Sequence, residues 1–275
     1  MALNGRIARK LPRSLKAGRQ WVRALAAGGR PLTRVVFVLG TQRSGTRLPL
    51  EALDCSPDVA TYSEGSSPFF DRVLLEPLDV VERAVQRSPF PVVALKPICE
   101  SHRVQELLDR FTGSRAIWIF RNYRDTVNST SVKWRSGREA LRDLVRGAAS
   151  WRSGGLAEDK IRLARGLYRD DMTLHEANAV MWFLRTGLFF DLGAHLRPDV
   201  LLVKYEDLVT QPDRGFARMF DFIDVPTPSS LSTVLRSSSS STRPFPDISL
   251  DILTRCDNLQ KRLLAFYNRT VQVAP

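Results

Sequence analysis

The stretch VVFVLGTQRSGTRLPLEAL, Val35–Leu53, decides how the rest of the chain is read. Five consecutive apolar residues, Val35–Leu39, have the length and β-branched content of a strand buried on both faces. A loop holding Gly40 and Gly45 follows, and then a helix-like pattern from about Thr46 to Leu53. Strand, glycine loop and helix in that order make a phosphate-binding turn. Glycines let the backbone wrap an oxyanion, and the free amides at the helix start point at it. The two glycines have the spacing of the nucleotide-triphosphate loop, G-x-x-x-x-G-K-[ST]. Thr46, however, holds the lysine position, and Arg43 sits inside the loop. The hydroxyls of Ser44 and Thr46 and the fixed charge of Arg43 suit an anion. Magnesium–triphosphate chemistry lacks its lysine and shows no evident metal-holding aspartate after a later strand.

Outward from this turn, Val92–Leu95, Ala116–Phe120 and Val200–Val203 read as further buried strands. Helical patterns are expected over Phe69–Gln86, Val104–Phe111, Asp125–Lys133, Leu174–His195 and Leu250–Tyr267. The alternation predicts an α/β fold: a doubly wound, mainly parallel sheet flanked by helices, with ligands beyond the carboxyl ends of its strands. Thr227–Asp247 is rich in Ser, Thr and Pro, contains SSSSST and reads as a loop. Its position inside the domain suits a segment that covers a ligand.

The 275 residues suffice for one α/β domain with a large core, placed at 35–275 behind a basic segment at 1–34. The net charge of +12 is lopsided, because Met1–Arg34 holds nine basic residues and no acid. Without that segment the charge is about +3, ordinary for a soluble enzyme, so nucleic acid is not an expected partner. Ile7, Leu11, Leu15, Val22 and Leu25 recur there at helical spacing, with Pro12 and Gly18 working against a long helix. Such a helix suits peripheral contact with an anionic membrane, packing of its apolar stripe on the domain, or an organelle leader. Cys55, Cys99 and Cys256 are odd in number and widely separated. They suggest neither a disulfide framework nor a zinc site, and a cytoplasmic location is expected.

A second stretch sharpens the reading: AIWIFRNYRDTVNSTSVKW, Ala116–Trp134. A buried strand runs into Arg121, and Ser129 follows within two helical turns, so the pair can converge on a second anion. The bland alternative is an ordinary ion pair between Arg121 and Asp125. Together with LLVKYEDLVTQP, Leu201–Pro212, the two stretches resemble the sulfotransferase family that uses 3′-phosphoadenosine 5′-phosphosulfate. In that family a loop similar to Gly40–Arg47 holds the 5′-phosphosulfate. The resemblance gives that role to Gly40, Thr41, Gln42, Arg43, Ser44, Gly45, Thr46 and Arg47. It gives the 3′-phosphate to Arg121 and Ser129, and, loosely, a closing role over the nucleotide to Arg243. No metal is implied, since the sulfuryl group arrives activated. Arg43 stands where the family usually has a lysine.

The resemblance also implies a hydroxyl-bearing acceptor, such as a glycan, lipid, phenol or small metabolite, and a base to take its proton. Some members carry a histidine after the second motif strand; here Ile98 holds that position in ALKPICESH. Glu64, in YSEGSSPFFD, is similar to the glutamate of glycan- and tyrosyl-modifying members and is the expected base, with His102 as the alternative. Lys96, at a strand end, would orient the acceptor or the sulfuryl oxygens. Glu206 and Asp207 fit a structural brace. The competing readings are a nucleotide kinase and a non-catalytic binding protein on the same fold.

Overall fold

A computed structural model describes residues 12–26, 28–29, 32–148, 150–229, 231, 245–246 and 248–272. In chain order the elements are α1 (Arg13–Ala26), β1 (Arg34–Gly40), α2 (Arg47–Leu53), β2 (Val59–Ser63), β3 (Phe70–Asp71), β4 (Leu74–Leu75) and α3 (Leu78–Gln86). Then come β5 (Val92–Lys96), α4 (Val104–Arg110), β6 (Arg115–Phe120), α5 (Tyr123–Lys133), α6 (Gly137–Val145), α7 (Glu158–Leu167) and α8 (Leu174–Asp191). β7 (Val200–Lys204), α9 (Tyr205–Thr210), α10 (Pro212–Phe222) and α11 (Leu250–Gln272) complete the set.

Five strands form one parallel sheet in the order β2-β5-β1-β6-β7. Successive residues of the central strands point to opposite faces, and both faces are covered. Phe37, Leu39, Trp118 and Phe120 enter one core with α4, α5, α8 and α11. Val36, Val38, Ile117 and Ile119 enter the other with α2, α9 and α10. The chain leaves β1 toward β2 and β5 and later crosses to β6 and β7. The carboxyl ends of β1 and β6 therefore flank the switch point where such sheets bind ligands. Gly40 pairs with Ile119 there, so the glycine loop and Arg121 emerge side by side.

The four expected strands are present, and the sheet gains β2 at its edge. The single helix expected over Phe69–Gln86 is instead the hairpin β3–β4 followed by α3. Pro77 explains the change: it biases Glu76 toward extended backbone and precedes the first helical residue, Leu78. The long helix α8 ends at Asp191, before the His195 expected, because Gly193 takes a left-handed φ of 70°.

Helix α1 starts directly after Pro12 and tolerates Gly18. Its orientation departs from the expectation that its apolar stripe packs on the domain. Lys16, Gln20 and Ala24 are buried, whereas Leu15, Trp21, Val22 and Leu25 are exposed. Among the described residues no helix is long and apolar enough to cross a membrane.

Candidate active site

β1 delivers its loop in a fixed shape. At Gly40, φ is 139°, and a Cβ there would lie 2.5 Å from the Ile119 carbonyl oxygen, so only glycine fits. The Gly40 amide donates to Ser101 Oγ at 3.1 Å, and the Thr41 hydroxyl meets the Thr186 hydroxyl at 2.9 Å. Ser44 is fully buried and donates to the Thr41 carbonyl at 2.6 Å, which closes the loop on itself. The loop therefore uses its own hydroxyls and its neighbours to hold a turn that backbone preference alone resists. Arg43 has the left-handed φ of 66°, a conformation that costs a non-glycine residue on the order of 1–3 kcal/mol. Gly45 presses on Tyr205: a Cβ would meet the ring at 2.1 Å.

The guanidinium of Arg43 turns toward α5, and its Nε donates to Ser129 Oγ at 2.9 Å. That bond joins two motifs 86 residues apart in sequence. Arg121, at the end of β6, is 9% exposed and lies over the Tyr205 ring at 4.7 Å. Its Nη2 is 3.5 Å from Asp125, so the ordinary ion pair exists. Yet its Nε is buried with no hydrogen-bond partner among the described residues. A buried, unmade hydrogen bond from a charged donor is costly, and an entering oxyanion would satisfy it. The backbone just beyond is braced, because the Asn122 amide donates to Glu206 Oε1 at 2.8 Å. Asn122 in turn caps α5 by accepting from the Arg124 amide.

On the other side of β1, Ser63 at the end of β2 is in register with Lys96 at the end of β5. Glu64 follows Ser63, and its carboxylate accepts from Lys96 Nζ and, at 3.3 Å, from the Ile98 amide. The pair is mostly shielded, at 12% and 19% side-chain exposure for Lys96 and Glu64. Two strand spacings, about 10 Å, separate the ends of β2 and β1. Between them, Gln42 of the loop reaches Cys99 Sγ at 3.6 Å, and burial pushes the Cys99 thiol upward from its usual range.

A family model described as Sulfotransferase domain matches residues 33–248. The chain belongs to the sulfotransferase domain family. Solved structures of similar fold include sulfotransferase STF9 from Mycobacterium avium, 11% identical, with a TM-score of 0.50 over 92% of this chain and 81% of that one. A sulfotransferase from Alicyclobacillus acidocaldarius is 16% identical, with a TM-score of 0.47 over 90% and 98% of the two chains. Mouse sulfotransferase SULT7A1, solved in complex with PAP, is 16% identical over 82% and 74%, with a TM-score of 0.43. No curated protein matches the chain.

Within this sulfotransferase domain the glycine loop and the Arg121–Ser129 stretch converge, and the Glu64–Lys96 pair stands beside them along the strand ends. Arg47 does not join: its side chain is 86% exposed and pairs with Glu51 along the surface of α2. Arg243 lies outside the described residues. Phe69 and Phe70, which follow Glu64 in YSEGSSPFFD, are buried, with the Phe69 and Tyr62 ring centroids 4.4 Å apart. His102 packs on glycine: a Cβ at Gly154 would be 2.4 Å from its Nε2. Its Nδ1 is buried without a partner among the described residues. Burial, and then the charges of Arg185 and Arg103, lower its pKa to about 4. Glu206 braces Asn122, and Asp207 pairs with Lys204 and accepts from Tyr267, so both serve structure.

Sequence reasoning missed three supports of the site. Ser101 clasps Gly40, Thr186 fixes Thr41, and Tyr205 floors both Gly45 and Arg121. Only Tyr205 carried a signal, through its place in the KYEDL stretch. A cavity of about 590 Å³ lined by Arg34, Asp58, Pro91 and Asp224 opens at the amino ends of the strands, away from this chemistry.

Proposed function

We propose that the chain transfers a sulfuryl group from 3′-phosphoadenosine 5′-phosphosulfate to a hydroxyl of a glycan, lipid, phenol or small-molecule acceptor, without a metal. The observation that carries the reading is the bond from Arg43 to Ser129, with the open Nε of Arg121 beside it. It supports two anion positions on one side of the sheet, spaced by the chain's own fold. The residues present fit the donor: a loop turned by Gly40 and Gly45 at positive φ, a buried guanidinium lacking a partner for its Nε among the described residues, and Thr46, whose side chain makes no cap hydrogen bond.

In this reading the loop amides with Thr46 and Arg43 hold the phosphosulfate end, and Arg121 with Ser129 holds the 3′-phosphate. The donor supplies a sulfuryl group already activated by its anhydride bond. Arg43 places permanent positive charge where negative charge grows on the leaving phosphate, and its guanidinium gives up no proton at neutral pH. Glu64 takes the proton of the acceptor hydroxyl. Lys96 holds that carboxylate in place by direct pairing.

Thermal stability tests the reading. 3′-Phosphoadenosine 5′-phosphate without metal should stabilise the protein by roughly 2.7 kcal/mol at about a hundred times its Kd. 5′-AMP, lacking the 3′-phosphate, should stabilise it far less. Equal effects of the two nucleotides, or a larger effect of ATP with magnesium, would replace this reading with a general nucleotide or kinase site.

A further inference from the structure

An amphipathic helix on a globular protein ordinarily turns its apolar stripe inward. Helix α1 does the reverse, and its contacts explain why. Lys16, 3% exposed, reaches both the carboxylate of Asp54, at 3.2 Å, and its backbone carbonyl. Gln20 donates to the Pro57 carbonyl and to Asp58, each at 2.9 Å, and Arg23 pairs with Asp58 at 2.9 Å. Arg13 donates to the Thr61 carbonyl at 2.6 Å and lies over the Tyr62 ring at 4.2 Å. These bonds run along one face of the helix and tie it to the edge of the sheet at β2. Rolling the helix to bury its apolar side would break all of them.

The face left outward carries Leu15, Trp21, Val22 and Leu25, at 56%, 45%, 66% and 80% exposure. At about 100° per residue they occupy roughly a third of the helix circumference, bordered by the exposed Arg19. We infer that this outward face of α1 docks on an anionic membrane surface, its apolar side chains entering the boundary between headgroups and acyl chains.

Charge decides between occupants. Of the nine basic residues in 1–34, Lys16, Arg23 and Arg34 pair with acids of the domain, and no acid within the segment offsets the other six, Arg19 beside the apolar face among them. A second copy of the chain would bring another such segment against the first, so like charges would face each other. An anionic bilayer offers both an apolar layer and negative headgroups, and Trp21 suits its interface. Nucleic acid offers the charge but no apolar layer for Leu15, Val22 and Leu25. Because Arg13 contacts Tyr62, two residues before Glu64, docking also holds that end of the sheet beside the lipid. The inference concerns α1 and does not depend on the reaction.

The test is sedimentation of the full chain with vesicles of phosphatidylcholine alone or mixed with phosphatidylglycerol. Wild type should bind the mixed vesicles, bind phosphatidylcholine much less, and release at about 1 M salt, where the screening length is about 3 Å. The double variant Val22→Glu and Leu25→Glu should bind the mixed vesicles at least about tenfold more weakly, having lost two inserting aliphatic side chains. Its far-UV dichroism and melting temperature should match wild type, since both residues are solvent-exposed in the fold. No binding by wild type, equal binding to neutral vesicles, or undiminished binding by a folded double variant would overturn the inference. So would a wild-type dimer in solution that the double variant dissolves, because a second copy would then be the occupant.

Discussion

The two halves of the strand ends handle charge differently. On β1 and β6, Arg43 bonds a hydroxyl, and Arg121 meets one aspartate at 3.5 Å while its Nε stays open. On β2 and β5, Glu64 and Lys96 neutralise each other in direct contact. The first half is an excess of positive charge that an incoming anion completes. The second is already paired without a ligand, and under the proposed function its part is to take the acceptor's proton rather than to attract charge. The proposed function therefore divides binding and proton transfer between neighbouring strand ends, and substitutions should separate them.

The largest effect should come from Glu64→Gln, which keeps the shape and removes the basicity. Turnover should fall by roughly 10²–10⁴, the usual contribution of a positioned base. Stabilisation by 3′-phosphoadenosine 5′-phosphate should stay at the wild-type level. If turnover with a true acceptor is unchanged, the division fails on the Glu64 side.

A smaller and more selective effect is expected on the other half. Arg121→Ala removes a charge-assisted hydrogen-bond donor, worth about 1.5–3 kcal/mol, and should weaken binding of 3′-phosphoadenosine 5′-phosphate by roughly 10- to 150-fold. Calorimetry with 5′-AMP should show little change. A parallel loss for both ligands would mean that Arg121 supports the fold of the loop and not a second phosphate.

The smallest effect concerns His102, which lies beyond both halves. Its folded pKa of about 4 is below the ordinary value of 6.5, so the unfolded chain binds a proton that the native ring refuses. Its contribution is fully present above pH 6.5 and is lost as pH falls toward 4. Melting temperature measured across that window should fall less steeply in His102→Gln than in wild type. Equal slopes would show that the ring is protonated in the native state and accessible after all.

Much of this was legible because the informative residues are local. Val35–Leu39 with Gly40 and Gly45 specify strand, turn and helix within one short stretch, and Arg121 and Ser129 are fixed relative to each other by one helix. β2 was not legible: VATYS is five residues of mixed polarity at a sheet edge, and its buried Val59 and Ala60 make no pattern. The periodicity of α1 was readable, but periodicity does not say which face docks. That is set by Asp54, Pro57 and Asp58, which lie 37 or 38 residues in sequence from Lys16 and Gln20. The same limit hid Thr186, whose bond to Thr41 spans 145 residues. Arg47 matched the loop pattern yet turns to Glu51, because the first residue of α2 already projects to solvent.

The contact of Gly45 with Tyr205 binds the fates of two distant positions. A side chain at position 45 has no room while the ring is there, and a smaller residue at 205 would remove the plane on which Arg121 rests. Neither site can drift alone without loss. The loop, the strand-end arginine and the start of α9 are thus coupled through one aromatic ring.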